Sequence, residues 1–506
     1  MDVEEQKAQT SYGTIFKTTF LFGFVQLFRV SIGVISNKIA ALLIGAEGMG
    51  ILGVYNSTIN MIQTGAGLGV NQSAVRDIAE ANGAKERNRF SRIICITNKV
   101  ILFTGLLGCI ITLFLSYWLS SWTFGDSMHM IAYCVLSIAV GLNIINESKQ
   151  AILKGMRQLK SLAKASMIGS VSGLLVSAPL YLFFGKEAII PVILIASIVA
   201  VLVSNHFVNK IEYDHLDVSF KESLKGSKTM IKMGLALMSM TFLQTIVAFI
   251  INTYIRKLGG FTDVGYYVAG TTITSSYFGI IVSALMTDYY PRIAAVNKDN
   301  KALEMELNKQ SIVSLILCCP LFVLFMGLLP IFISLLYTQE FLPAVDFVKW
   351  SMYWTIITVC SNQVDLILVA KFETKVFLVI SVIFRVIQVV LCTQLYRLYG
   401  LEGLGIAYFI LGVLHVTIMC TTVYHFYRIK FNRSFLKIAL VSLVFIVLST
   451  LSQQLLTNYW FYCAIASLFI SSLYFSYYTT NKVLNMNIII LINNRFKKIE
   501  RNETTS

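Results

Sequence analysis

Long apolar segments separated by short polar loops dominate this sequence, a pattern typical of membrane-spanning helices. A helix crosses a bilayer with about 20 apolar residues, and fourteen segments have roughly this length. The alternation of polar and apolar residues that transmembrane strands need is missing from them. We therefore predict an all-α polytopic membrane protein with about 14 transmembrane helices, at 14–36, 46–75, 93–117, 129–147, 161–184, 187–209, 231–256, 264–290, 311–336, 346–370, 376–397, 402–426, 436–455 and 459–480.

A glycine pattern recurs at a constant distance along the chain. The stretches LIGAEGMG, from Leu43, and LGGFTDVG, from Leu258, are about 215 residues apart. This offset pairs three sets of residues, namely Gly45 with Gly260, Gly50 with Gly265, and Asn37 with Asn252. An equal offset through two whole spans indicates a duplicated unit. The four glycines are predicted to form conformational corners where each pair of spans meets.

The repeat divides the chain into two pseudo-symmetric six-helix lobes. We predict an N-lobe at 1–209, an inter-lobe linker at 210–230 and a C-lobe at 231–427. Two additional spans at 428–480 have no counterpart in the first lobe, and a basic tail follows at 481–506. Because six is an even number of crossings, both lobes begin on the same side of the membrane.

The distribution of basic residues predicts the orientation of the spans. Of the 41 Lys and Arg, 32 lie in the two tails and in the loops of one membrane face, against six on the opposite face. Cytoplasmic loops carry such an excess, so both termini are expected in the cytoplasm. The same bias explains the net charge of +15, and it argues against nucleic acid as a partner because no folded domain gathers the charge.

The sequence lacks the residues that several classes of function require. The chain has 56% hydrophobic and 13% charged residues, and its mean hydropathy is +0.72. No hydrophilic stretch is long enough for a catalytic domain. No phosphate-binding GxxxxGK[ST] loop is present, and the nine Cys and five His lack the spacing of metal ligands. His415 is interpreted as a hydrogen-bonded structural residue. We predict a protein that is not an enzyme and has no metal and no cofactor.

Ionisable residues inside the spans are the strongest indication of function, because each costs at least about 2.5–3.5 kcal/mol to insert. Asp365 and Arg385 lie at depths that differ by about 6 Å, given a helical rise of 1.5 Å per residue. A long Arg side chain can cover that distance. We predict an ion pair that acts either as a structural lock or as a gate opened by a substrate anion or a proton.

Arg29 lies in the apolar middle of the first span with no evident acidic partner. The repeat places Gln244 at the equivalent depth, so the two side chains are expected to face each other across a central cavity. A cation without a counter-ion favours an anionic ligand; the alternative is that Arg29 bonds backbone carbonyls around the glycine-rich second span. Lys38, Asn37 and Asn252 complete the candidate substrate-binding set.

Four local motifs resemble the N-terminal signature of Wzx-type O-antigen translocases and of the related flippases for enterobacterial common antigen. They are GAEGMG at Gly45–Gly50, Lys38 just before it, GAG at Gly65–Gly67 and VRDIA at Val75–Ala79. These flippases belong to the multidrug/oligosaccharidyl-lipid/polysaccharide exporter superfamily. The six-plus-six repeat and the two additional C-terminal spans extend the resemblance over the whole chain.

The resemblance implies a V-shaped transporter of the bacterial inner membrane. Such proteins move undecaprenyl-pyrophosphate-linked oligosaccharide, an O-antigen or related repeat unit, to the periplasmic leaflet by alternating access. Arg29 matches the cationic cavity residues that hold the pyrophosphate. The implied partners are this lipid-linked substrate, membrane lipids, a polysaccharide polymerase and a chain-length regulator.

Two rival functions stay open at this point. A cation-coupled drug antiporter of the same superfamily would use an N-lobe carboxylate, which spans 1–6 lack. A polysaccharide polymerase or ligase needs a sizeable outward loop, and the outward loops here are short.

Overall fold

A computed structural model describes residues 3–483, apart from 85, 215, 217, 220–221, 224–226 and 372. The predicted basic tail, from residue 484 onward, and part of the predicted linker lie outside the described residues. Fourteen α-helices are described: α1 (Val3–Ala66), α2 (Val70–Gly83), α3 (Arg87–Phe124), α4 (Met130–Gly155), α5 (Leu159–Phe184), α6 (Ile189–Val208), α7 (Lys228–Thr271), α8 (Phe278–Ala295), α9 (Asn300–Gly327), α10 (Leu329–Leu336), α11 (Ala344–Ala370), α12 (Thr374–Tyr427), α13 (Arg433–Leu455) and α14 (Asn458–Val483).

The predicted fold class is confirmed. Ten continuous helical stretches within the described residues are long and apolar enough to cross a membrane. Four of them are twice the length of one crossing and are divided at Gly45, Gly185, Gly260 and Gly400, each with positive φ. Fourteen crossing segments result. A positive φ is almost free of steric cost only for glycine, which is why the chain turns back at these residues.

Two spans differ in detail from the hydropathy pattern. The second span, predicted to reach residue 75, ends at Ala66 and is followed by α2 after a break in which Leu68 and Gly69 have φ of 49° and 63°. The eighth span contains a π-helical turn at Thr272–Tyr277 between α7 and α8. Neither feature changes the apolar character of the segment, so hydropathy alone does not detect them.

The chain forms two compact units. Of the described residues, the first comprises those up to Ala269, with Leu336–Phe341 and Arg385–Gly400; the second comprises Gly270–Leu335, Leu342–Phe384 and those from Leu401 onward. In the first unit α3 and α4 approach closely where Gly105 and Gly141 face each other, as small residues allow in a membrane. In the second unit a buried cluster joins α8, α9, α11 and α12 around Tyr289 and Ile367. The repeat boundaries remain a sequence prediction, because the units reflect proximity and not duplication.

Candidate functional site

The corners at Gly45 and Gly260 have the same backbone conformation. Gly45 has φ 65° and ψ −172°, and Gly260 has φ 78° and ψ −173°. This region of the φ/ψ plane is accessible essentially to glycine alone. The two corners therefore redirect α1 and α7 in the same way, at positions that the repeat offset pairs.

Gly50 and Gly265, also predicted as corners, instead lie in helical backbone just beyond the turns. There the second halves of α1 and α7 touch through their backbones. A Cβ at Gly50 would overlap the carbonyl oxygen of Phe261, and a Cβ at Gly265 would overlap the carbonyl oxygen of Ala46. The repeat offset converts Gly50 into Gly265 and Ala46 into Phe261. Each contact is thus the image of the other under exchange of the repeats, as in an isologous interface. We call this pair of contacts the glycine crossing.

Polar groups from distant parts of the sequence hold the first corner. The Ala46 amide donates to Glu340 Oε1 at 3.1 Å, and Glu340 belongs to the 3₁₀ turn Gln339–Phe341. This places a carboxylate at the N-terminus of the helical segment after Gly45, where the helix dipole favours negative charge. Lys38 Nζ donates to the Tyr337 carbonyl of the same connection.

The second corner is covered by the corresponding connection of the first repeat. The ring of Phe124, at the end of α3, lies 5.1 Å from that of Phe261. The Arg256 guanidinium is 5.4 Å from the centre of the Phe261 ring, and a Cβ on Gly125 would come within 2.8 Å of Arg256 Nη1. The offset pairs Gly125 with Glu340. Equivalent connections therefore cover the two corners, with a carboxylate hydrogen bond at the first and with aromatic and cation–π contacts at the second.

The same helices also meet at the opposite end of α1. A Cβ on Gly69 would overlap the backbone of Gly234, and a Cβ on Gly65 would lie 2.8 Å from the ring of Phe242. Arg76 Nη1 is 2.7 Å from the sulfur of Met233. The first part of α7 therefore packs on the segment around residues 65–76, through backbone contact at Gly69 and through side chains at Gly65 and Arg76.

The predicted cation Arg29 and its repeat partner Gln244 are both exposed. Among the described residues no carboxylate forms an ion pair with Arg29. Leu27, two residues earlier, is 63% exposed, so this guanidinium lies on an apolar helical surface. Such a position is costly without a partner of opposite charge.

The remaining polar candidates are more enclosed. Asn252 donates from Nδ2 to the Ala248 carbonyl at 2.8 Å, while its Oδ1 is buried and makes no hydrogen bond within the described part of the chain. Asn37, its repeat partner, is half-buried. Buried polar atoms of this kind are typically satisfied by an ordered water.

Asp365 lies beside a histidine in the second unit. Its Oδ2 is 3.7 Å from Nε2 of His415, and Oδ1 is buried without a hydrogen bond among the described residues. Phe384 packs edge-on against the His415 ring at 4.9 Å. Arg385 donates to Gln388 Oε1 at 2.7 Å, and its predicted pairing with Asp365 remains a prediction. Hydropathy does not indicate the Asp365–His415 contact, because it depends on how two helices separated by 50 residues of sequence are rotated against each other.

Comparisons with known proteins agree with this architecture. A family model described as "Polysaccharide biosynthesis protein" matches residues 90–346. The chain is also 19% identical over 402 residues to the lipid III flippases of Escherichia coli K12 and Shigella flexneri, which covers 78% of this chain and 94% of theirs. These matches confirm the resemblance to flippases stated from the sequence.

Solved structures show the same fold at low sequence identity. The lipid II flippase MurJ in an inward closed conformation aligns with a TM-score of 0.69 and 14% identity, over 93% of this chain and all of that one. An inward-facing MATE family multidrug resistance transporter aligns with a TM-score of 0.63 and 15% identity, over 79% of this chain and 98% of that one.

Proposed function

This chain belongs to the polysaccharide biosynthesis protein family, and from that membership we propose that it is a flippase for a lipid-linked oligosaccharide. The observation that carries the proposal is the relationship to lipid III flippases along nearly their whole length. The finer proposal is an undecaprenyl-pyrophosphate-linked O-antigen or related repeat unit, moved from the cytoplasmic to the periplasmic leaflet. The protein would then reside in the inner membrane with both termini in the cytoplasm, beside a polymerase and a chain-length regulator.

The exposed guanidinium of Arg29 supports an anionic substrate. A lipid pyrophosphate presents oxygens that a planar guanidinium binds in a forked geometry. The exposed amide of Gln244 offers a hydrogen-bonding group for the glycan. Gln244 lies on α7, in the same unit as Arg29.

The glycine crossing supports alternating access as the mechanism. Its two contacts are made to backbone carbonyls, so separating the two helices at these glycines breaks van der Waals contact. The symmetry of the two contacts means that one movement breaks both. Glu340 and Lys38, which connect residues 336–341 to α1, would release when this end opens.

The direct test is complementation of a strain that lacks its own O-antigen flippase. Expression of the chain should restore surface glycan and prevent accumulation of lipid-linked oligosaccharide on the inner leaflet. The same strain should show no increase in resistance to cationic drugs, which is the expectation for the rival antiporter. Drug resistance without glycan display would overturn the proposal in favour of the antiporter.

A polymerase would give a third result. Loss of a polymerase leaves single repeat units on the surface. If expression of this protein only lengthens the surface glycan of a polymerase-deficient strain, the protein is a polymerase and not a flippase. Measurement of glycan length on gels separates these outcomes.

A further inference from the structure

A basic cavity lies where α9 and α13 begin and α12 ends, within the second compact unit. Its volume is about 820 Å³. Three cations line it, namely Lys301 and Lys309 of α9 and Arg428 at the end of α12. All three are exposed. In the described part of the chain none of them forms an ion pair with a carboxylate.

The two nearby carboxylates are bound to backbone amides. Glu304, which also lines the cavity, accepts from the Lys430 amide at 3.2 Å. Asp299 caps α9 by accepting from the amides of Lys301 and Ala302 at 2.9 and 3.2 Å. These carboxylates thus stabilise the chain around the cavity, and its lining keeps an excess of positive charge.

An apolar strip accompanies the cations. Lys301, Met305 and Lys309 follow one another at intervals of four residues, so they lie along one face of α9. Met305 is 64% exposed, and the buried Ile312 closes the wall one turn further along. From Lys301 to Lys309 the helix rises about 12 Å. A soluble anion needs no such apolar wall, whereas a phospholipid has glycerol and acyl groups to place against it.

We propose that this cavity binds the phosphodiester headgroup of an anionic phospholipid. Basic pockets between helix ends at the cytoplasmic surface suit such headgroups, and each cation near the surface contributes about 1 kcal/mol. The loop charges predict that the starts of α9 and α13 are on the cytoplasmic side. The bound lipid would hold the ends of α9, α12 and α13 together. This site does not depend on which substrate the protein transports.

Short-chain lipids that stay monomeric test the site on the purified full chain. Dihexanoyl phosphatidylglycerol, dihexanoyl phosphatidylcholine and inorganic phosphate are each titrated, and binding is followed by thermal shift. We expect saturable stabilisation by phosphatidylglycerol well beyond that of the other two probes. Equal stabilisation by phosphatidylcholine would overturn charge recognition, and equal stabilisation by inorganic phosphate would assign the cavity to a free anion instead.

Variants locate the binding. The triple variant Lys301→Gln, Lys309→Gln, Arg428→Gln should weaken phosphatidylglycerol binding on the order of a hundredfold, about fivefold per cation. The matched control is Arg157→Gln, Lys160→Gln, Lys164→Gln. It removes three exposed charges, and Arg157 shares the left-handed backbone of Arg428, with φ of 53° against 60°. The control should bind within about twofold of the unmodified chain.

A smaller variant guards against loss of folding. Lys301→Gln with Lys309→Gln leaves the end of α12 unchanged and should weaken binding about 25-fold. If both cavity variants bind phosphatidylglycerol as tightly as the control variant does, the lipid site is refuted.

Discussion

Substitution of Gly50 by alanine tests whether the glycine crossing governs opening. The added Cβ would overlap the Phe261 carbonyl oxygen, and it would lie 2.7 Å from the carbonyl carbon and 3.0 Å from the Gly265 amide nitrogen. These are backbone atoms, so no side-chain rotation can relieve the clash. Overpacking of this kind costs about 1–3 kcal/mol. The closed arrangement should therefore lose about fivefold to 150-fold in population relative to an open one.

The symmetry of the crossing sharpens this expectation. Gly265→Ala clashes with the Ala46 carbonyl in the same way and should have the same effect as Gly50→Ala. One separation of the helices relieves both clashes. The free-energy change in the double variant should consequently be much smaller than the sum of those in the two single variants, as is found for coupled neighbouring sites.

Cysteine accessibility provides the assay. Val264 is fully buried at the crossing, so Val264→Cys in a cysteine-free background should react slowly with an impermeant maleimide. Gly50→Ala should accelerate the reaction by at least fivefold. The control is Gly33→Ala in the same helix, where a Cβ meets nothing within 4 Å. Opening is not governed by the crossing if Val264→Cys reacts equally slowly in the Gly50→Ala and Gly33→Ala backgrounds. Strict additivity of the free-energy changes of Gly50→Ala and Gly265→Ala in the double variant would refute it as well.

Three further predictions concern charge. Arg29→Ala should leave the protein at normal abundance and abolish glycan display. Arg29→Lys should keep part of the activity, because the positive charge survives although the forked guanidinium geometry is lost. Normal display by Arg29→Ala, or loss of the protein on an immunoblot, would refute the anion site. Removing Asp365 or Arg385 alone should impair transport, and exchanging the two should restore part of it if they pair; an exchange no better than either single variant excludes the pair. Single cysteines at Ser121 and Asn458 should label from outside and those at Asn82 and Asn300 should not, and outside labelling at Asn300 would contradict the predicted topology.

Some features of the site were visible in the sequence because they depend on local chemistry. Both corners, at Gly45 and Gly260, have glycine at the position that the repeat offset pairs, because their backbone conformation excludes other residues. Arg29 stood out because a cation is rare in an apolar helix. By contrast, Glu340 was not predicted: it contacts Ala46 across nearly 300 residues of chain, and a glutamate in a short polar loop has no unusual local signal.

The sequence by itself determined the all-helical membrane class and the approximate positions of the spans. Hydropathy and glycine content are properties of neighbouring residues, and the bilayer requires each apolar segment to satisfy its own backbone as a helix. Only the tertiary structure decided that Gly50 contacts Phe261 while Gly265 contacts Ala46, that His415 faces Asp365, and that Lys301, Lys309 and Arg428 line one cavity. Those contacts depend on helix rotation and on the approach of distant segments, which packing fixes and periodicity does not.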